Sequence, residues 1–185
     1  MSTLIPQIIV ADDHSMIRKG IKLLLLTKFN CTNVDEADSC HALMNELKKA
    51  KCTHLILDVV FPDGTSLEMA PVIRKLYPEI KIMIYSMQLS EIYASAFAQY
   101  GIYCYLSKSS TEEETIQYIT KFLNNECALR PTTNPRQYTN PFSSLSPREL
   151  EILHYLVNGQ KTNEIARALN LSNSTISTFK MRIFE

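Results

Sequence analysis

The feature that most limits what this chain can fold into is an alternation of short, wholly apolar runs with longer stretches of helical spacing. The runs are Ile8–Ala11, Leu55–Leu57, Ile82–Tyr85 and Tyr103–Leu106. A strand that is apolar on both faces must be covered on both, as in a parallel sheet layered between helices. Between the runs, Met16, Ile17, Ile21, Leu24 and Leu25 recur at spacings that make one helical stripe, as do Leu43, Met44 and Leu47. The run Leu23–Leu26, bounded by Lys22 and Lys28, reads as part of a buried helix face. A weaker strand around Cys31–Glu36 completes five, and Thr111-Glu112-Glu113-Glu114 is a capping box that opens a last helix. Repeated β-α units predict an α/β fold, closing near Asn125.

A chain of 185 residues has room for one domain of ordinary size and a small second one. From Glu126 to Ser144 periodicity vanishes and Pro131, Pro135 and Pro141 stand among Thr, Asn and Arg, which predicts a connector carrying Arg130 and Arg136. Order resumes at Ser146-Pro147-Arg148-Glu149, with an N-cap serine, a proline at the first helical position and a glutamate at the third. Gly159 ends that helix. A short helix from Thr162 to Leu169 follows, with Ile165, Ala166 and Leu169 on one side, and a third starts at its Ser172 cap. Two helices joined by a tight turn form helix-turn-helix geometry. The expected domains are therefore 1–125, a connector 126–144, and 145–185.

Lys+Arg and Asp+Glu are both 19, so any basic surface for a polyanion has to be local. The five cysteines, Cys31, Cys40, Cys52, Cys104 and Cys127, contain no C-x-x-C pair and fit reduced thiols in a cytosol. No apolar run approaches the ~20 residues of a membrane span, so a cytoplasmic protein with no membrane partner is expected.

In an α/β sheet, ligands gather at the carboxyl ends of strands. Asp12 and Asp13 follow the first strand, Asp58 the third and Ser86 the fourth, while Lys108 ends the stretch after the fifth. Three clustered carboxylates need a cation, and a hard ion with oxygen ligands, Mg²⁺ or Mn²⁺, is expected. A carboxylate beside such an ion, a hydroxyl and an ammonium is suited to accepting a phosphoryl group. His14, His41, His54 and His154 show no ligand spacing.

The stretches V-A-D-D-H, L-I-L-D-V-V-F-P-D-G, I-Y-S-M and Y-L-S-K resemble, in this order, the four signatures of response-regulator receiver domains, over about Pro6 to Leu123. The resemblance implies a flavodoxin-like five-stranded parallel sheet, Asp58 as phosphoacceptor, and Asp12, Asp13, Asp58 and the Val60 backbone carbonyl as metal ligands. It implies that Ser86 and Lys108 grip the phosphoryl group, and that Tyr105 is an aromatic switch moving with Ser86. Such a domain catalyses only its own aspartyl phosphorylation and dephosphorylation, and is not otherwise an enzyme. A haloacid-dehalogenase-type phosphatase would instead need D-x-D at the first strand. Two departures stand out: Ser66 takes the commoner glycine place, with Gly64 close by, and Met87 replaces a small residue, which narrows the path for a phosphodonor.

L-S-P-R-E-L-E-I-L and N-E-I-A-R-A-L-N-L-S-N-S-T-I-S-T-F-K-M-R-I-F, from Leu145 onward, are similar to the LuxR-type helix-turn-helix of the NarL/FixJ class. The resemblance implies a small all-α DNA-binding domain in which Ser177, Thr178, Lys180, Met181 and Arg182 lie on the recognition helix, with Ile176, Phe179 and Ile183 facing inward. The fourth helix of that class would begin just after Glu185, so the second domain is expected to be incomplete at its C-terminus and to bind DNA poorly by itself. The implied partners are a sensor histidine kinase, DNA and a second copy of the chain on activation. The alternative is a phosphate-accepting interaction module whose shortened effector domain no longer binds DNA.

Overall fold

A computed structural model describes residues 6–49, 51–88, 90–128, 145–169 and 171–185. Its first unit follows the predicted alternation: β1 (Ile8–Ala11), α1 (Ser15–Phe29), β2 (Val34–Ala37), α2 (Cys40–Lys49) and β3 (His54–Leu57). A ribbon of β4 (Val60–Phe61) and β5 (Gly64–Thr65) comes next, then α3 (Ser66–Leu76), β6 (Lys81–Ser86), α4 (Ser90–Ala98), β7 (Cys104–Ser107) and α5 (Glu112–Leu123). The sheet has five parallel strands in the order β2-β1-β3-β6-β7.

Because side chains alternate across a strand, each apolar run feeds two cores. Ile9, Leu55, Leu57, Ile82 and Ile84 meet α2, α3 and α4 through Leu43, Leu47, Leu67, Ile73 and Phe97. Ile8, Val10, Ile56 and Met83 meet α1 and α5 through Ile21, Leu25, Ile119 and Phe122. This placement corrects the predicted face of α1. Ile21 and Leu25 are buried, but Met16 is 75% and Leu23 61% exposed, and Leu26 is exposed as well. At about 100° per residue these three lie roughly 140–160° round the helix from Ile21, too far to reach the sheet.

The capping box of α5 forms as predicted, with Thr111 accepting from the Glu114 amide and Glu114 from the Thr111 amide. Beyond α5 the first connector residues, Glu126–Ala128, form a 3-10 turn, and Cys127 packs on the α1–α5 core. The Cys127 and Cys104 sulfurs, the latter on β7, meet side by side, while Cys31, Cys40 and Cys52 stand apart. Tertiary packing here brings together two cysteines that are far apart in sequence. Arg130, Arg136 and the connector prolines lie outside the described residues.

The second unit consists of α6 (Pro147–Val157), α7 (Thr162–Ala168) and α8 (Asn173–Phe184) around Ile152, Ile165, Ala166 and Ile176. Ser146 and Glu149 make the predicted capping box, Gly159 adopts φ 76° after α6, and Ser172 caps α8. The unit touches the first through Leu150 of α6, which is buried in the α2–α4 core and whose carbonyl accepts from the Tyr93 hydroxyl of α4 at 3.3 Å. Among the described residues, no helix is long and apolar enough to cross a membrane.

Candidate functional site

The site forms where β1, β3, β6 and β7 end together. Parallel register puts Ala11 beside Leu57, Leu57 beside Ile84 and Ser86 beside Ser107, so Asp12 and Asp58 just past β1 and β3, Ser86 at the end of β6 and Lys108 just past β7 open onto the same edge. Asp12, Asp58 and Ser86 are almost fully buried there. One carboxylate oxygen of Asp58 accepts from the Ser86 hydroxyl at 2.5 Å and the Val59 amide at 2.6 Å. The other is 2.6 Å from the Lys108 ammonium, which also lies 2.6 Å from Asp12. Burial works against the Lys108 charge, but hydrogen bonds and attraction from Asp12 and Asp58 outweigh it and hold its pKa above the ordinary lysine value.

Asp12, Asp13, His14 and Asp58 can bring ligand atoms within 4.8 Å of one another. The three carboxylates and one ammonium leave two negative charges to balance, and the donors are mainly hard oxygens, so the residues fit a divalent ion such as Mg²⁺ or Mn²⁺. His14 was set aside in the sequence, yet its Nδ1 lies 2.7 Å from Asp13 and 3.2 Å from Asp12. Its adjacency to the acid pair was the available signal. Val60 and Asp13 line a cleft of about 490 Å³ that Arg148 and Tyr155 of the second unit close from the other side.

Two features hold the surroundings of Asp58. The ribbon aims Asp63 at the start of α2, where it accepts from the Cys40 and His41 amides at 2.8 and 2.9 Å. Burial pushes the Asp63 carboxyl up, but these backbone bonds prevail and its pKa is lowered. Tyr105, half-buried on β7, donates to the Gln88 carbonyl at 3.0 Å, and the Gln88 amide lies 3.3 Å from the Ser86 hydroxyl. Met87 is 65% exposed, at the surface beside Ser86. Ser66 is buried and its amide donates to the Val59 carbonyl at 2.9 Å, so the missing glycine leaves the turn intact.

On α8, Ile176 is buried, and Phe179 and Ile183 pack on the helices beneath, as expected. Ser177, Thr178, Met181 and Arg182 are exposed, and Lys180 is half-buried. Ser177 and Thr178 turn their hydroxyls back to the carbonyls of Asn173 and Ser174. The Arg182 guanidinium lies over the Phe179 ring at 6.0 Å.

Comparison with known proteins places this geometry. Residues 8–120 match the family described as "Response regulator receiver domain", and residues 143–185 match "Bacterial regulatory proteins, luxR family". The chain belongs to the response regulators, with a receiver domain followed by a LuxR-type helix-turn-helix. Its relatives include the response regulator GacA of Pseudomonas aeruginosa, 28% identical across 97% of this chain and 88% of that protein. The response regulator UvrY of Escherichia coli K12 is 27% identical across 96% of this chain and 85% of that protein. Among solved structures, RcsB of Salmonella enterica serovar Typhimurium, bound to the promoter rprA in the presence of phosphomimetic BeF3-, superposes with a TM-score of 0.66. It is 25% identical, with 95% of this chain and 89% of that chain covered.

Proposed function

We propose that the chain is a cytoplasmic transcription regulator controlled by transfer of a phosphoryl group from a sensor histidine kinase to Asp58. The observation that carries this reading is the convergence of Ser86, Lys108 and Asp12 on one buried carboxylate. Asp12, Asp13, Asp58 and the Val60 carbonyl would hold Mg²⁺ or Mn²⁺, which supplies charge neutralisation to the phosphoryl oxygens. Asp58 is the nucleophile, and its oxygen bonds to phosphorus as the donor's leaving group departs. Lys108 then exchanges a carboxylate for a phosphoryl oxygen, and the Ser86 hydroxyl donates to another. The receiver thus catalyses only its own phosphorylation and dephosphorylation.

Output follows from what Ser86 touches. Its movement towards the phosphoryl group pulls on the loop at Gln88, to which Tyr105 is bonded, and on α4, whose Tyr93 is bonded to α6. Tyr105 acts as the switch residue. Ser177, Thr178, Lys180, Met181 and Arg182 of α8 face DNA, supported by the likeness to an RcsB bound to its promoter. Activation pairs two chains on DNA. The domains are 1–125, connector 126–144 and 145–185, with Glu126–Ala128 held on the receiver.

The test is labelling with a small acyl-phosphate donor and Mg²⁺. One hydroxylamine-sensitive phosphoryl group is expected, absent in Asp58→Asn. Undiminished labelling of that variant rejects the assignment.

A further inference from the structure

We propose that Cys104 and Cys127 form a thiol-oxidation site, at which a hydroperoxide converts two thiols into the disulfide that fastens the receiver end of the connector to β7. The proposal goes beyond phosphoryl transfer and concerns the opposite end of the sheet. Cys104 opens β7, the strand that continues through Tyr105 towards Lys108. Cys127 sits in the 3-10 turn after α5, where the chain leaves for the helix-turn-helix. The Cα atoms are 5.2 Å apart, within the ~4.4–6.8 Å that a disulfide spans, so oxidation needs no backbone movement.

Three observations set this pair apart from the other cysteines. It is the pair whose sulfurs meet, while Cys31, Cys40 and Cys52 stand apart from other cysteines. Both residues line one cavity of about 330 Å³, ample for a small oxidant. Arg74 and Lys81 line the same cavity, which gives it a polar, water-accessible wall. By contrast, burial above all pushes the Cys40 and Cys52 thiols up to about 12, which leaves them unreactive. In the cytoplasmic setting proposed above, a disulfide is expected to be transient and sensing rather than permanent.

The chemistry closes with the peroxide as the sole oxidant. Cys104 is buried and Cys127 half-buried, so the Cys127 thiolate attacks a peroxide oxygen, the O–O bond breaks, and the departing oxygen leaves as water or alcohol after taking a proton. Cys127 is then a sulfenic acid. The Cys104 sulfur attacks the Cys127 sulfur, the S–O bond breaks, and hydroxide departs with the Cys104 thiol proton as water. The two sulfurs give up two electrons and the peroxide accepts two. Exchange with a dithiol restores both thiols. What the bond controls is the turn Glu126–Ala128: closed, it is covalently tied to the output strand, and open, it keeps the packing of Cys127 and the bond from the Asn124 side-chain amide to the Glu126 carboxylate.

The experiment uses the full chain, reduced and then exposed to hydrogen peroxide. Alkylation in denaturant should find thiols falling from five to three, with a Cys104–Cys127 peptide recovered and all five restored by dithiothreitol. Amide exchange at residues 124–128 should slow about tenfold or more on oxidation. Cys127→Ser should keep its four thiols through mild treatment, and its exchange should not respond to peroxide. Five thiols remaining in the wild type, a link to Cys31, Cys40 or Cys52, a link between two chains, or equal exchange in both states would each overturn the proposal. None of these readouts depends on Asp58 or on DNA, so failure here leaves the regulator reading standing.

Discussion

Replacing Lys108 by Met removes a buried charge while keeping most of the apolar stem, and its consequence can be worked out in advance. The ammonium lies 2.6 Å from both Asp12 and Asp58, and all three side chains are under a tenth exposed. Breaking a buried pair by removing one partner costs about 3–5 kcal/mol, because the remaining charge stays desolvated. The chain has one escape, which is to protonate a carboxylate. From an ordinary Asp value this costs about 4 kcal/mol at pH 7 and about 1.5 kcal/mol at pH 5. Urea unfolding of Lys108→Met in EDTA should therefore show a loss of about 3–4 kcal/mol at pH 7, shrinking to about 1.5 kcal/mol at pH 5. Mg²⁺ at a hundred times its Kd should return about 2.7 kcal/mol. The wild type should gain less from Mg²⁺, because its own ammonium already shields the carboxylates and repels the ion. A loss that ignores both pH and Mg²⁺ would refute this reasoning and make Lys108 a packing residue.

Leu25→Ala should cost about 2–5 kcal/mol in urea unfolding and Leu23→Ala less than about 0.5 kcal/mol, since only Leu25 faces the sheet. Burial first, and then the nearby Lys81 charge, lower the pKa of His54 below 6.5. The folded state thus resists a proton that the unfolded chain accepts, so His54 contributes stability above about pH 6.5 that is lost as pH falls through the folded value. His54→Gln should flatten that part of a pH series of unfolding curves. Tyr93→Phe removes the bond to the Leu150 carbonyl, and should weaken docking of α6 by about 0.5–1.5 kcal/mol, read as faster amide exchange in α6 with little change at α5. Met87→Ala should speed labelling by a small acyl phosphate several-fold, since the long exposed side chain stands beside Ser86, and an unchanged rate would mean that it does not gate the donor.

The sequence made the site legible because Asp12, Asp58 and Lys108 each directly follow a strand and Ser86 ends one, and the parallel register turns those positions into proximity. The capping boxes at Thr111 and Ser146 were equally readable, since every atom they need lies within three residues. Distance in sequence hid the rest. The Cys104–Cys127 pairing depends on how the turn after α5 packs on the sheet, and the Tyr93–Leu150 contact on how two units dock. Leu23 and Leu26 misled for another reason: a helix with apolar residues all round carries no sign of which face meets the sheet until the sheet is in place. The ribbon Val60–Phe61 and Gly64–Thr65 is too short to leave a periodic signal.

That ribbon gives the site an asymmetry of stiffness. With Asp63 pinned to the Cys40 and His41 amides and Thr65 capping α3, the segment leaving Asp58 is braced against two helices at once. On the other flank, Gln88 in the loop after Ser86 bonds to Tyr105 through its carbonyl and to Ser86 through its amide. A push delivered at Asp58 meets a strut on one side and a spring on the other. Under the phosphorylation of Asp58 proposed above, displacement is therefore expected at α4, the helix whose Tyr93 bonds to α6, and not at the ribbon.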